Sequence, residues 1–301
     1  MPSSRKSNIS VANFLPKAKR SDDWNYGGPK WKLSRSKIDL FMECPRCFYL
    51  DNKLGVARPK GPSFTLNVAV DALLKKEFDA HRKAGTSHPL MTRYGVDAVP
   101  FKHDELDEWR DNFAGIQYRD PESGLLITGA IDDVWVAKNG DLIVVDYKAT
   151  SKDGKMESLE DTKWQNQYRR QMEVYQWLLR KKGYRVSNVG YFVYVNGRKD
   201  LEAFDGKLEF DVTLISHKGD DSWVSPTIIK AKECLDAPDV PPHNPYCEFC
   251  VYRKSVRDVQ LALMKKPEKG ETEEKEMAPK PKAKKTQKND EQPHKKTDTL
   301  F

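Results

Sequence analysis

The dipeptide Asn139-Gly140 sits between two β-like, acid-bearing runs, 125–137 and 141–148, and it fixes which side chains can face one another. Asn-Gly is a strong hairpin signal, because both residues tolerate the positive φ that tight turns need. A two-residue loop would set Asp133 opposite Asp146. A three-residue loop, Lys138-Asn139-Gly140 with a left-handed bulge at Gly140, sets Asp132 there instead. Side chains alternate along a strand, so Lys148 shares the face of Asp146 in either case. The apolar run Ile143-Val144-Val145 leads straight into Asp146-Tyr147-Lys148, which argues against a merely polar surface hairpin. Two carboxylates and a lysine at the ends of neighbouring strands suit metal-assisted chemistry on a phosphate. The carboxylates can hold a hard divalent cation, and the lysine can steady developing charge or lower the pKa of an attacking water.

The chain of 301 residues has room for one large domain or two small ones. Its formal net charge of +7 favours a polyanionic partner. No apolar stretch is long enough to span a bilayer, and Met1-Pro2-Ser3-Ser4-Arg5-Lys6 lacks the apolar core of a secretion signal. A cytoplasmic protein with no membrane partner is therefore expected, and its five cysteines are read first as ligands or thiols.

Composition divides the chain into an N-terminal arm (1–30), a globular part (31–262) and a tail (263–301) whose Lys-, Glu- and Pro-rich composition predicts disorder. Within the globular part, 34–54 reads as a helix that Pro45 interrupts, and 64–84 as a second one closed by Gly85. The hairpin follows, then a long helix over 164–182 stopped by Gly183. Residues 191–195 and 208–215 read as strands and 225–235 as a helix. That order suits an α/β core with a mixed sheet flanked by helices.

On the long helix, Gln171 and Tyr175 are one turn apart and share a face. With the run Gly129-Ala130-Ile131-Asp132 and the Asp146-Tyr147-Lys148 strand, they resemble the PD-(D/E)XK nuclease superfamily and, within it, the RecB-like branch that includes CRISPR-associated RecB-like exonucleases. The resemblance covers roughly residues 33–255 and implies a restriction-endonuclease-like core. It favours Asp132 over its rival Asp133, and so the three-residue loop. By the same resemblance Asp132 and Asp146 would ligate Mg²⁺ or Mn²⁺, with the Tyr147 carbonyl as a further oxygen, and Lys148 would assist the water or the transition state. Gln171 and Tyr175 would line the groove. DNA, single- or double-stranded, is the implied substrate, in repair, recombination or CRISPR-related processing.

The sequence departs from that pattern in one place. Many relatives carry a metal-binding histidine on the early helix, where Asp71 stands here. Asp71 lies on the helical face of Phe64, Val68, Leu74 and Phe78, where a carboxylate wants a partner. Either a metal or a salt bridge would serve, and Glu77 is the second choice as ligand.

Cys44-Pro45-Arg46-Cys47 and Cys247-Glu248-Phe249-Cys250 form a four-thiolate set suited to zinc or an iron–sulfur cluster. Some RecB-like nucleases hold a [4Fe–4S] cluster through one N-terminal and three C-terminal cysteines. Here the C-terminal run has two, so Cys47 would complete the set, while Cys234 reads as a small core residue. No Gly-x-x-x-x-Gly-Lys-[Ser/Thr] loop is present, so a helicase would be a separate partner. The ending Leu300-Phe301 is similar to peptides that dock on sliding clamps, although the usual leading glutamine is missing. The competing reading is a catalytically silent DNA-binding adaptor stapled by its cysteines.

Overall fold

A computed structural model describes residues 21–59 and 61–264. The rest of the N-terminal arm and the tail with Leu300-Phe301 lie outside the described residues. The chain divides into two units after Ser255, and both sheets lie in the first.

The early helical segment is split as its proline demands. Helix α1 (Arg35–Glu43) ends at Cys44, whose extended backbone starts α2 (Pro45–Asn52) with Pro45 at the first helical position. Helix α3 (Thr65–Ala84) ends on Gly85 at φ 68°, a left-handed cap that glycine adopts at little cost. Short α4 (Pro89–Arg93), β2 (Ala98–Pro100) and α5 (Leu106–Arg110) follow. Residues 21–30, read from composition as arm, carry a 3-10 turn at Asp22–Trp24. They also hold Tyr26, whose N–H donates to the Asn52 carbonyl and whose hydroxyl donates to Asp236.

The run 125–137, expected as one strand, is two. Strand β4 (Leu126–Gly129) pairs with β3 (Ile116–Arg119) and with β1 (Leu33–Ser34), in the order β1-β4-β3. Strand β5 (Asp133–Ala137) belongs to a second, mixed sheet ordered β2-β5-β6-β7-β8. Its other long members are β6 (Leu142–Thr150), β7 (Val189–Gly197) and β8 (Phe210–Lys218). The break has identifiable causes. A Cβ on Gly129 would stand 2.7 Å from the Tyr175 ring, so only glycine lets the chain pass that close. Beyond it, the Ile131 N–H is taken by the Trp109 carbonyl, and the Asp132 carbonyl accepts from Arg110 Nε at 3.0 Å. Asp132 thus sits on the seam between the sheets, its carbonyl held by the Arg110 side chain instead of a ladder.

The β5–β6 turn has three residues. Ala137 N–H donates to the Asp141 carbonyl, Gly140 has φ 82°, and Asn139 Oδ1 accepts from Asp141 N–H. The register pairs Asp133 with Val145, which leaves Asp132 across from Asp146.

Alternation along β5–β8 loads both faces of the mixed sheet. Val134, Val144, Phe192 and Ile215 pack with α6 (Lys163–Lys181) and α7 (Val224–Asp236), whose buried residues include Met172, Leu178 and Ile228. Trp135, Val145, Tyr147 and Val193 pack on the other face with Phe78 of α3 and Leu90 and Met91 of α4. The architecture is therefore the expected α/β core with mixed sheets flanked by helices. Helix α8 (Glu248–Met264) closes the described chain. Among the described residues, no helix is long and apolar enough to cross a membrane.

Candidate active site and a four-cysteine cluster

Asp146 and Lys148 leave β6 on the α6 face, where Gln171 and Tyr175 meet them one helical turn apart. Asp146 is fully buried. Its Oδ1 accepts from Gln171 Nε2 at 2.8 Å, and Gln171 Nε2 also donates to the Tyr175 hydroxyl at 3.1 Å. Its Oδ2 makes no hydrogen bond and has only the Lys148 ammonium beside it. Burial, reinforced by the charge of Asp132, pushes the Asp146 carboxyl up to about 7, although Lys148 pulls the other way. Burial also disfavours the Lys148 charge. The two carboxylates outweigh it, so the ammonium stays above its ordinary pKa.

Asp132 completes the set from the sheet seam. Its Oδ2 accepts from the Tyr147 N–H at 2.9 Å. Lys75 of α3 bridges it to Asp71, lying 2.8 Å from Asp71 Oδ2 and 3.9 Å from Asp132 Oδ1. Asp71, Asp132, Lys148 and Gln171 line one open groove of about 440 Å³. The salt bridge weighed for Asp71 is thus present, in the groove itself. Glu77 is engaged elsewhere, with His88 Nε2 at 2.8 Å, and takes no part in the lining.

Asp133 points to the opposite face and is also fully buried. Its Oδ1 accepts from Arg82 and, at 2.9 Å, from Arg110, while Oδ2 accepts from the Tyr147 hydroxyl at 2.7 Å. Burial, and then the Asp133 charge, lifts the Tyr147 phenol well above its ordinary pKa. The rival carboxylate is consumed by a buried ion network that also grips the Asp132 carbonyl through Arg110. Removing one partner of such a network leaves charges buried and uncompensated. Asp133→Ala is expected to cost about 3–5 kcal/mol of stability, read by urea unfolding. A change within ~0.5 kcal/mol would contradict the network's role.

Three neighbours escaped the sequence reading. Arg35 opens α1 beside Tyr175, Asp146 and Asp39. Burial opposes its charge, but these three groups outweigh burial and hold its pKa above the ordinary value. Lys75 could have been found from its i,i+4 spacing to Asp71. Tyr168 precedes Gln171 by three residues on α6, and its ring lies 4.9 Å from Lys148 Nζ. Nothing local in the sequence marks Arg35, whose partners come from elements far along the chain.

The four cysteines converge in a cluster of their own. Cys44 and Cys47 come from the start of α2, and Cys247 and Cys250 from the start of α8. All four are buried, with their sulfurs within 4.8 Å of one another. Cys44–Cys250, Cys47–Cys247 and Cys47–Cys250 Sγ separations are 3.6, 3.7 and 3.9 Å. Arg58 Nη2 donates to Cys247 Sγ at 3.2 Å while Nη1 pairs with Glu43, placing a cation against the thiolates. Burial pushes the Cys47 thiol well up. For Cys247 burial acts upward too, but the Cys250 N–H, the neighbouring thiols and Arg58 bring it down to about 7. This buried cluster can hold a metal. Cys234 stands apart, its sulfur 3.9 Å from the Pro45 carbonyl.

A carboxylate pair with a neighbouring lysine at the end of a mixed sheet, backed by a Gln/Tyr helix, has a counterpart among known families. The model of the PD-(D/E)XK nuclease superfamily matches residues 66–255. The chain belongs to that superfamily. The match begins after Cys44 and Cys47 and includes Asp71, Asp132, Asp146, Lys148, Gln171 and Tyr175. Among solved structures, the chain is similar to one titled "Crystal structure of SSO0001", at 13% identity and a TM-score of 0.25, covering 71% of this chain and 95% of that one. That likeness is too slight to carry an argument. Among curated proteins there is no match.

Proposed function

We propose that this protein is a metal-dependent deoxyribonuclease of the RecB-like branch, hydrolysing phosphodiester bonds in the groove between α3 and the β5–β6 hairpin. One observation carries the reading. Asp146 is fully buried, its Oδ2 meets only the Lys148 ammonium, and Lys148 lines the groove together with Asp132 and Asp71. Burial and the neighbouring Asp132 charge disfavour the ionised Asp146 carboxylate, and a divalent cation shared by the two carboxylates would relieve both. Asp132 and Asp146 fit a hard divalent ion such as Mg²⁺ or Mn²⁺. The Tyr147 carbonyl lies on the same edge of β6 as its N–H, facing Asp132, and can add an oxygen. Asp71 is placed to join once Lys75 is displaced.

When bound, the ion would polarise the scissile phosphate and lower the pKa of an attacking water. Lys148, held protonated by two carboxylates, donates to the phosphoryl oxygens as charge builds. Gln171 holds Asp146 and Lys148 in one geometry through Oδ1 and the 3.4 Å contact to Nζ. Repair, recombination and CRISPR-related processing all suit such an activity. Matched DNA and RNA oligonucleotides in Mg²⁺ and Mn²⁺ test the substrate. Faster cleavage of DNA is expected, whereas preference for RNA would reassign the substrate class, and binding without cleavage would favour the adaptor.

Metal affinity should also report the Asp146 proton. A metal-bound carboxylate must be ionised, so the proton competes with the ion. With the carboxyl near 7, affinity for Mn²⁺ should rise by up to about tenfold per pH unit from pH 5 to 7 and level off above. Calorimetric titration checks this, and a flat profile would contradict it.

For the cysteines, the spacing favours a single tetrahedral ion. Four thiolates at ~2.3 Å from one zinc lie about 3.8 Å apart; three of the separations here are 3.6, 3.7 and 3.9 Å, and all four sulfurs lie within 4.8 Å of one another. A cubane cluster would interpose several irons and spread the sulfurs further. Zinc is therefore preferred over the [4Fe–4S] cluster that family resemblance suggests.

A further inference from the structure

A second cleft opens beside the groove, and the site chemistry leaves it unused. It measures about 610 Å³ and shares Phe64, Asn67 and Tyr168 with the groove, so the two are continuous. Its remaining lining includes Trp164, Phe210 and Lys152. Trp164, in the first turn of α6, is 68% exposed, and Phe64, just before α3, is 71% exposed. Large aromatic rings left in water on both rims of a cleft call for a ligand with flat apolar faces. Tyr168 forms the shared wall, its ring against the Lys148 ammonium.

We propose that this cleft receives unpaired bases of the substrate strand by stacking, with Phe64 and Trp164 as the residues that hold them. The proposal rests on the nuclease reading above. A phosphate at Lys148 sets its adjoining nucleoside next to Tyr168, and the strand then runs into the cleft between Phe64 and Trp164. The volume falls within the ordinary range for small-ligand sites, about 300–1,000 Å³, and suits a base or two. At the rim, Lys152 holds Glu160 only loosely, both side chains being largely exposed at 3.4 Å, so it is free to exchange that partner for a phosphate. Continuity with the phosphate groove selects a nucleic-acid strand as occupant over an apolar peptide. A duplex cannot serve, because its bases are stacked on one another and offer no free face. Stacking on aromatic rings is also tolerant of sequence, so little base preference is expected.

The test is fluorescence anisotropy with labelled oligo(dT), its duplex with oligo(dA), and an oligo(dT) carrying abasic sites, with no divalent metal added. The full chain is compared with Trp164→Ala and Trp164→Phe. Trp164 is exposed, so neither change should disturb folding. Trp164→Ala should weaken binding of oligo(dT) by about tenfold, Trp164→Phe should retain most of it, and duplex and abasic strands should bind equally to all three proteins. Unchanged affinity of Trp164→Ala for oligo(dT), or an equal loss for the abasic strand, would overturn the proposal. Cleavage in Mn²⁺ by the parent separates the two readings. If the parent cleaves DNA while Trp164→Ala binds oligo(dT) normally, only the base cleft is wrong. If it neither binds nor cleaves, the nuclease reading falls as well.

Discussion

Replacing Asp146 by asparagine should reduce metal-dependent cleavage by about a thousandfold or more, with the same result for Asp132→Asn. The substitution at 146 keeps the shape and the Gln171 contact but removes the charge from a buried carboxylate whose Oδ2 faces only the Lys148 ammonium. It also leaves the buried Lys148 ammonium with less opposing charge, so some loss of stability is expected there. Asp132 is the control for that effect. It is partly exposed and already holds Tyr147 N–H and Lys75, so asparagine is accommodated with little change in melting temperature. Loss of cleavage in a fully folded Asp132→Asn variant therefore reports chemistry. A variant at either position that retained parental activity would remove that carboxylate from the metal site, and Asp71 would then be the next residue to change.

The second large effect concerns the cysteines. Purified protein should carry one zinc ion per chain, and a strong chelator or Cys47→Ser should lower the melting temperature by roughly 10 °C or more. The four thiols join α1–α2, which precede the superfamily match, to the start of α8, nearly the full length of the globular unit away. A tetrahedral ion there closes a loop of some two hundred residues and contributes its binding energy to folding. Without metal, several thiols remain buried beside Arg58 with little to offset their desolvation. Iron with acid-labile sulfide in anaerobically purified protein would refute the single-ion reading, and metal-free protein with unchanged melting would refute the staple itself.

Much of this arrangement was legible in the chain because its signals are local. Asn139-Gly140 marks the hairpin but leaves its loop at two or three residues, the Cys-x-x-Cys pairs announce a ligand set, and the one-turn spacing of Gln171 and Tyr175 places both on one helix face. Pro45 and Gly85 end helices for reasons that hold in any protein. What stayed hidden depends on contacts between distant segments. The pattern through Gly129 and Ile131 continues as a strand should, so nothing local shows the crossing from one sheet to the other. That crossing is imposed by Tyr175, Trp109 and Arg110. Asp132 and Asp133 are adjacent carboxylates that residue type alone does not separate; the register puts Asp132 across from Asp146, and Arg82, Arg110 and the Tyr147 hydroxyl take up Asp133. Arg35 beside Asp146 and Tyr175 and the exposed rings of Phe64 and Trp164 are likewise products of packing, since exposure is not written in residue type.

The most direct measurement is cleavage of labelled single-stranded and duplex DNA by the full chain and by Lys148→Ala, with and without added Mn²⁺. Lys148 touches both Asp146 and Gln171, so its loss should abolish activity while leaving the carboxylates to bind metal. Mn²⁺-dependent cleavage by the parent that falls by about a hundredfold or more in the variant is the predicted result. Equal cleavage by both proteins would place the chemistry somewhere other than the β5–β6 hairpin.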